Sequence, residues 1–158
     1  MKHIYVSKLR SMAAMGILLL LFCVTNEELL GQCANNNTFL MDMTPSSPGV
    51  TVTNACVDGG EYVTVNVCAG AQYTFRTCAA SVFDTQLTLY DDVTGLVLDY
   101  NDDFCGLQSQ IIWTATITGV VRVLLDEYNC SNTGTCQTLE VTWDTGCPGS
   151  GSPGDDCA

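Results

Sequence analysis

The sequence is poor in positive charge. Five Lys and Arg stand against 17 Asp and Glu, with a single His, for a formal net charge of −12. Nucleic-acid phosphates repel such a chain, which excludes a DNA or RNA reader. Anionic membrane surfaces are disfavoured on the same ground, and cations are the natural small partners. Long apolar runs are scarce too. The one clear run, residues 12–24 (MAAMGILLLLFCV), would span about 20 Å as a helix, short of the roughly 30 Å of a bilayer core. No C-x-x-C pair and no twelve-residue EF-hand loop occurs, so the most recognisable sequence forms of zinc and calcium sites are missing.

Lys2, Lys8 and Arg10 precede the apolar run. A positive stretch followed by a short hydrophobic one reads as a secretory signal peptide over 1–31, cleaved between 25 and 32. Its removal deepens the absences. His3 and every Lys leave with it, and Arg76 and Arg122 are the remaining cations. Seventeen acids less Glu27 and Glu28 leaves 15, so the mature formal charge is −13. Without His or Lys the mature chain builds no Ser-His-Asp or Cys-His site, no Schiff base and no His-based zinc centre. The expectation is a protein that is not an enzyme, with no transmembrane segment in the mature chain.

What is abundant is cysteine. Ten Cys among 158 residues point to an oxidising compartment, hence secretion to the extracellular space or cell surface. Cys23 belongs to the signal, and the nine that remain cannot all pair within one chain.

The body reads as short strands with period-two alternation. Val63, Val65 and Val67 alternate with polar residues, as do Tyr73, Phe75 and Thr77. Leu87 and Leu89 follow, then Leu96, Leu98 and Tyr100. Ile111, Trp113, Ala115 and Ile117 share one face, and Leu139, Val141 and Trp143 close the series. About seven or eight strands with turns every 8–12 residues predict an all-β, antiparallel two-sheet sandwich, jelly-roll-like and disulfide-stapled. Both Trp are expected in its core. The domain is expected over 50–147, after a polar N-terminal segment at 32–49 and before a Gly/Ser/Pro-rich tail at 148–158.

The runs FDTQLTLYDD (83–92), LDYNDDFCGLQSQIIWTATITG (98–119) and VLLDEYNC (123–130) together resemble the prepeptidase C-terminal (PPC) type domain. The similarity is to the Cys-containing variety of secreted Bacteroidota proteins. It extends back through YVTVNVCAGAQYTFRTC (62–78). It implies a calcium-compatible, jelly-roll-like sandwich serving as a non-catalytic module beside peptidases, glycosidases or adhesins. Here no enzyme domain and no recognisable sorting domain accompanies it.

Acidic turns supply the candidate metal ligands. Asp84, Asp102 and Asp103 are the leading set for Ca²⁺, which takes six to eight oxygens. Asp91, Asp92, Asp99 and Asp126 are weaker candidates. Solvated turn residues are the plain alternative, since Asp and Asn favour turns. Cys130 and Cys136 bracket the short loop SNTGT and are the first expected disulfide. Cys78 with Cys105 is the second, because both end strands of the PPC-like segment. The partners of Cys33, Cys56, Cys68, Cys147 and Cys157 stay open. Two sequons offer glycosylation at Asn36 and Asn129.

Three functions fit. The first is a structural or adhesive extracellular protein acting in a filament or cell-surface assembly by self-association. The stretch Gly49–Thr53 could add a strand to a neighbour's sheet. The second is a calcium-dependent carbohydrate- or protein-binding module using Tyr90, Tyr100 and Tyr128. The third, a small hydrolase, needs two carboxyls across a cleft that a small sandwich has little room for.

Overall fold

The computed structural model describes residues 33–34, 37–79 and 82–147. The expected signal peptide, the tail, Asn36 and Cys157 lie outside these. Nine strands form two sheets: β1 (Thr38–Asp42), β2 (Thr51–Asp58), β3 (Glu61–Val67), β4 (Gln72–Arg76), β5 (Thr85–Asp91), β6 (Val97–Asn101), β7 (Gln110–Thr114), β8 (Gly119–Glu127) and β9 (Cys136–Trp143). A 3₁₀ turn, Tyr128–Cys130, follows β8. The five-stranded sheet runs β1-β3-β8-β5-β6 and the four-stranded sheet β2-β9-β4-β7. Every pairing is antiparallel except β1 with β3.

The core follows from the alternation. Val63, Val65, Leu87, Leu89, Val121, Val123 and Leu125 of one sheet are fully buried against Phe75, Leu139 and Val141 of the other. Each such side chain contributes about 1.5–3 kcal/mol relative to exposure. Trp113 is buried, and Trp143 stacks on Tyr73 at 5.8 Å while packing on the core edge.

One feature differs from the sequence expectation. The segment at 32–49 is not merely polar: it contains β1, with Leu40 packed on the core and Met43 buried. The stretch Gly49–Thr53, expected to add a strand to a neighbour's sheet, leads into β2, an edge strand that pairs with β9 on its inner side. Thr51, Val52 and Thr53 pair with Thr142, Val141 and Glu140 of β9.

Among the described residues four disulfides form, Cys33–Cys130, Cys56–Cys136, Cys68–Cys147 and Cys78–Cys105. The expected Cys130–Cys136 link does not form. Sheet register decides this: Asp58 pairs with Cys136, so Cys56 on β2 sits beside Cys136 on β9. Cys130, on the 3₁₀ turn, instead meets the N-terminal segment at Cys33. No helix among the described residues is long and apolar enough to cross a membrane.

Candidate functional site

The loop between β6 and β7 carries Asp102 and Asp103, and Asp84 lies just before β5. These three carboxylates feel one another. Burial, then the charges of Asp103 and Asp102, push the Asp84 carboxyl above its ordinary range. Tyr100, on β6, faces the same group. Its phenol oxygen is buried beside Asp102 yet makes no hydrogen bond of good geometry. Burial, Asp102, Asp103 and Asp84 all raise its pKa. Tyr100 and the three carboxylates thus form an oxygen-rich edge of the kind a hard cation takes.

A buried hydroxyl network holds the loop. Thr77 and Thr85 hydroxyls meet at 2.8 Å, and the Ser109 amide donates to both, at 3.0 and 2.9 Å. Ser109 Oγ reaches the Asp102 carbonyl at 3.2 Å. The Leu107 carbonyl accepts from the Thr85 amide at 2.9 Å. Thr77, Thr85 and Ser109 are all fully buried. The Cys78–Cys105 disulfide ties the same loop to the end of β4. The sequence reading missed this network, because Thr and Ser near turns look solvated. It also passed over Phe104 and Leu107, which are 58% and 56% exposed in the acidic loop. Two large apolar residues inside NDDFCGLQS were the available signal.

The weaker candidates have other partners. Asp91 Oδ1 accepts from the Val93 and Thr94 amides at 2.9 and 2.8 Å, which lowers its pKa and closes its turn. Asp92 is ion-paired with Arg122, whose guanidinium also sits 4.9 Å over the Tyr62 ring. Asp99 accepts from the Tyr100 amide at 2.8 Å. Asp126 is buried near Asn37 and does not join the cluster around Asp84. Among the described residues, the trio whose ligand atoms already lie within 4.8 Å is Cys56, Asp58 and Cys136. Its two sulfurs are spent in a disulfide, so it is no metal centre.

Other expected site residues fall differently. Tyr90 is no loop platform: it is 4% exposed, and its hydroxyl donates to the Cys33 carbonyl at 2.8 Å. Tyr128 is exposed. Asn129 is exposed with φ 62°, but Ser131 of its sequon donates to Glu127 and Cys130 is in a disulfide. Both described cations are engaged, Arg76 with Glu140 at 2.6 Å and Arg122 with Asp92.

A family model described as "Domain of unknown function (DUF8695)" matches residues 51–145, from β2 through the end of β9. No curated protein matches the chain. Solved structures that resemble it include the Aeromonas hydrophila PliG, a periplasmic lysozyme inhibitor of g-type lysozyme. That match has a TM-score of 0.48 at 10% identity, over 67% of this chain and 97% of that one. The pre-peptidase C-terminal domain of collagenase from Bacillus anthracis matches with a TM-score of 0.42 at 11% identity, over 71% and 98%.

Proposed function

The chain belongs to the DUF8695 family, and from that premise we propose that it is a secreted, non-catalytic adhesive module whose contact loop is conditioned by Ca²⁺. One observation carries the reading. The loop whose Asp102 and Asp103 act electrostatically on Asp84 also displays Phe104 and Leu107 to solvent. Asp84, Asp102 and Asp103 would hold the ion, with Tyr100 beside them. The ion supplies positive charge and fixed oxygen coordination, which draw the three carboxylates together. The chain's own residues do the rest. Ser109, Thr77 and Thr85 anchor the loop base, and Phe104 and Leu107 offer the apolar contact.

A strongly acidic protein repels copies of itself. A bound divalent cation lowers that repulsion where the apolar residues are displayed, so self-association or docking on a cell-surface partner follows calcium. The four disulfides suit an oxidising, extracytoplasmic setting.

Sedimentation velocity at high protein concentration tests the reading. Calcium should promote assembly, chelation should reverse it, and the Phe104→Ser, Leu107→Ser pair should abolish it. A strict monomer with and without calcium would overturn self-association.

A further inference from the structure

A second polar site lies where β8 ends. A cavity of about 320 Å³ opens there, lined by Asn37, Gly60, Asp126, Ser131, Asn132 and the Cys33–Cys130 disulfide. Asp126 is the one ionisable side chain among the described lining residues, and it is 4% exposed. Among the described residues, its contacts are weak for a buried carboxylate. The Asn37 carboxamide donates at 3.4 Å, and the Gly60 amide lies nearby. Neither described arginine answers it, since Arg76 pairs with Glu140 and Arg122 with Asp92. The neighbouring Glu127 differs: Thr133 donates to it from both amide and hydroxyl, at 2.9 and 2.6 Å, and Ser131 Oγ at 3.0 Å. Two adjacent acids are thus buried together, one saturated and one facing a cavity.

We propose that this cavity binds a primary ammonium group on an aliphatic stem, such as a lysine side chain, with Asp126 as its counter-ion. The donor set selects that chemistry. A hard divalent cation wants several carboxylates, and the cavity holds one. An anion would be repelled, and a neutral polyol would leave the buried charge unpaired. An ammonium brings three N–H donors. Asp126, the carboxamide oxygens of Asn37 and Asn132, and Ser131 Oγ supply acceptors. Asn132 Oδ1 already accepts from the Gly134 amide at 3.0 Å and keeps a second lone pair. The disulfide gives the stem an apolar wall, and the volume lies at the small end of ordinary ligand sites. The acidic field of the molecule favours cation entry.

The test is a titration followed by amide NMR, using Nα-acetyl-lysine amide against Nα-acetyl-norleucine amide, which lacks the ammonium. The lysine compound should shift the amides of Asn37, Gly60, Ser131 and Asn132 in a saturable way, and the norleucine compound should not. Asp126→Asn should weaken binding at least tenfold. Asn132→Ala, which removes an acceptor at an exposed position, should weaken it by several fold and carries the test if the first variant fails to fold. No saturable shift, an equal response to norleucine, or unchanged binding by a folded variant would overturn the proposal.

Discussion

Cys33 is bonded to Cys130 across 97 residues of sequence, and the Cys33 carbonyl accepts a hydrogen bond from Tyr90. This fixes the N-terminal segment to the body of the domain before β1 begins. Closing so long a loop stabilises by constraining the unfolded chain, by about 3–5 kcal/mol. Replacing both cysteines by Ser should lower unfolding stability by that order in urea titrations. Non-reducing peptide mapping should recover a Cys33–Cys130 peptide. A Cys130–Cys136 peptide would contradict the connectivity.

Asp126 gives a pH signature. Burial pushes its carboxyl up to about 6 from 3.8, with Asn37 and Gly60 only partly offsetting it. An acid whose folded pKa is raised is penalised when ionised. The penalty is full above about 6 and vanishes below the unfolded value. Stability owed to this group should therefore rise as pH falls from 7 to 4, by about 3 kcal/mol at most. Glu127 and Asp91 work in the opposite sense. Hydrogen bonds from Thr133 and Ser131 outweigh burial at Glu127, so its contribution is lost on acidification. The difference between wild type and Asp126→Asn isolates the effect. That difference should shrink toward pH 4; a difference constant with pH would contradict it.

Gly59 is a packing constraint. A Cβ there would stand 2.9 Å from the Ser131 carbonyl oxygen and 3.0 Å from Glu127 Cγ. Backbone cannot yield as a flexible side-chain end can. Gly59→Ala should cost about 1–3 kcal/mol and displace the loop at Ser131, visible as lowered protection of the Thr133 amide in hydrogen exchange. An unchanged melting curve and exchange pattern would count against the contact.

Ser109 links the core to the acidic loop. Ser109→Ala removes the hydroxyl that donates to the Thr85 and Asp102 carbonyls. Stability should fall by about 1–3 kcal/mol, and calcium affinity should fall with it, because the Asp102 backbone loses its anchor. Ser109→Thr should restore part of both. Loss of stability with calcium response intact would separate the network from the site.

Much of the sandwich was legible because period-two alternation reports a strand with one buried face. Val63-Thr64-Val65-Asn66-Val67 and Ile111-Ile112-Trp113 read directly. β5 did not read as cleanly, because Thr85 through Tyr90 are all buried, so its polar residues face structure rather than water. β1 was illegible for another reason. Its short TFLMD run does not alternate, and a parallel partner that begins only at Glu61 leaves no local turn to announce it. The disulfides depend on which strands become neighbours, which a short bracketing loop such as SNTGT cannot reveal. The acidic set Asp84, Asp102 and Asp103 was visible as residue types. Its coupling to Tyr100 was not, since it requires β6 and the start of β5 to be neighbours in the sheet.

Thermal unfolding in calcium against chelator, at matched ionic strength, tests whether Asp84, Asp102 and Asp103 hold the ion. A ligand at a hundred times its dissociation constant adds about 2.7 kcal/mol, which in a domain this size raises Tm by several degrees. That rise should appear in the wild-type protein and be lost in the Asp102→Asn, Asp103→Asn variant. An identical Tm with calcium and with chelator, or a calcium response that survives in the variant, would contradict it.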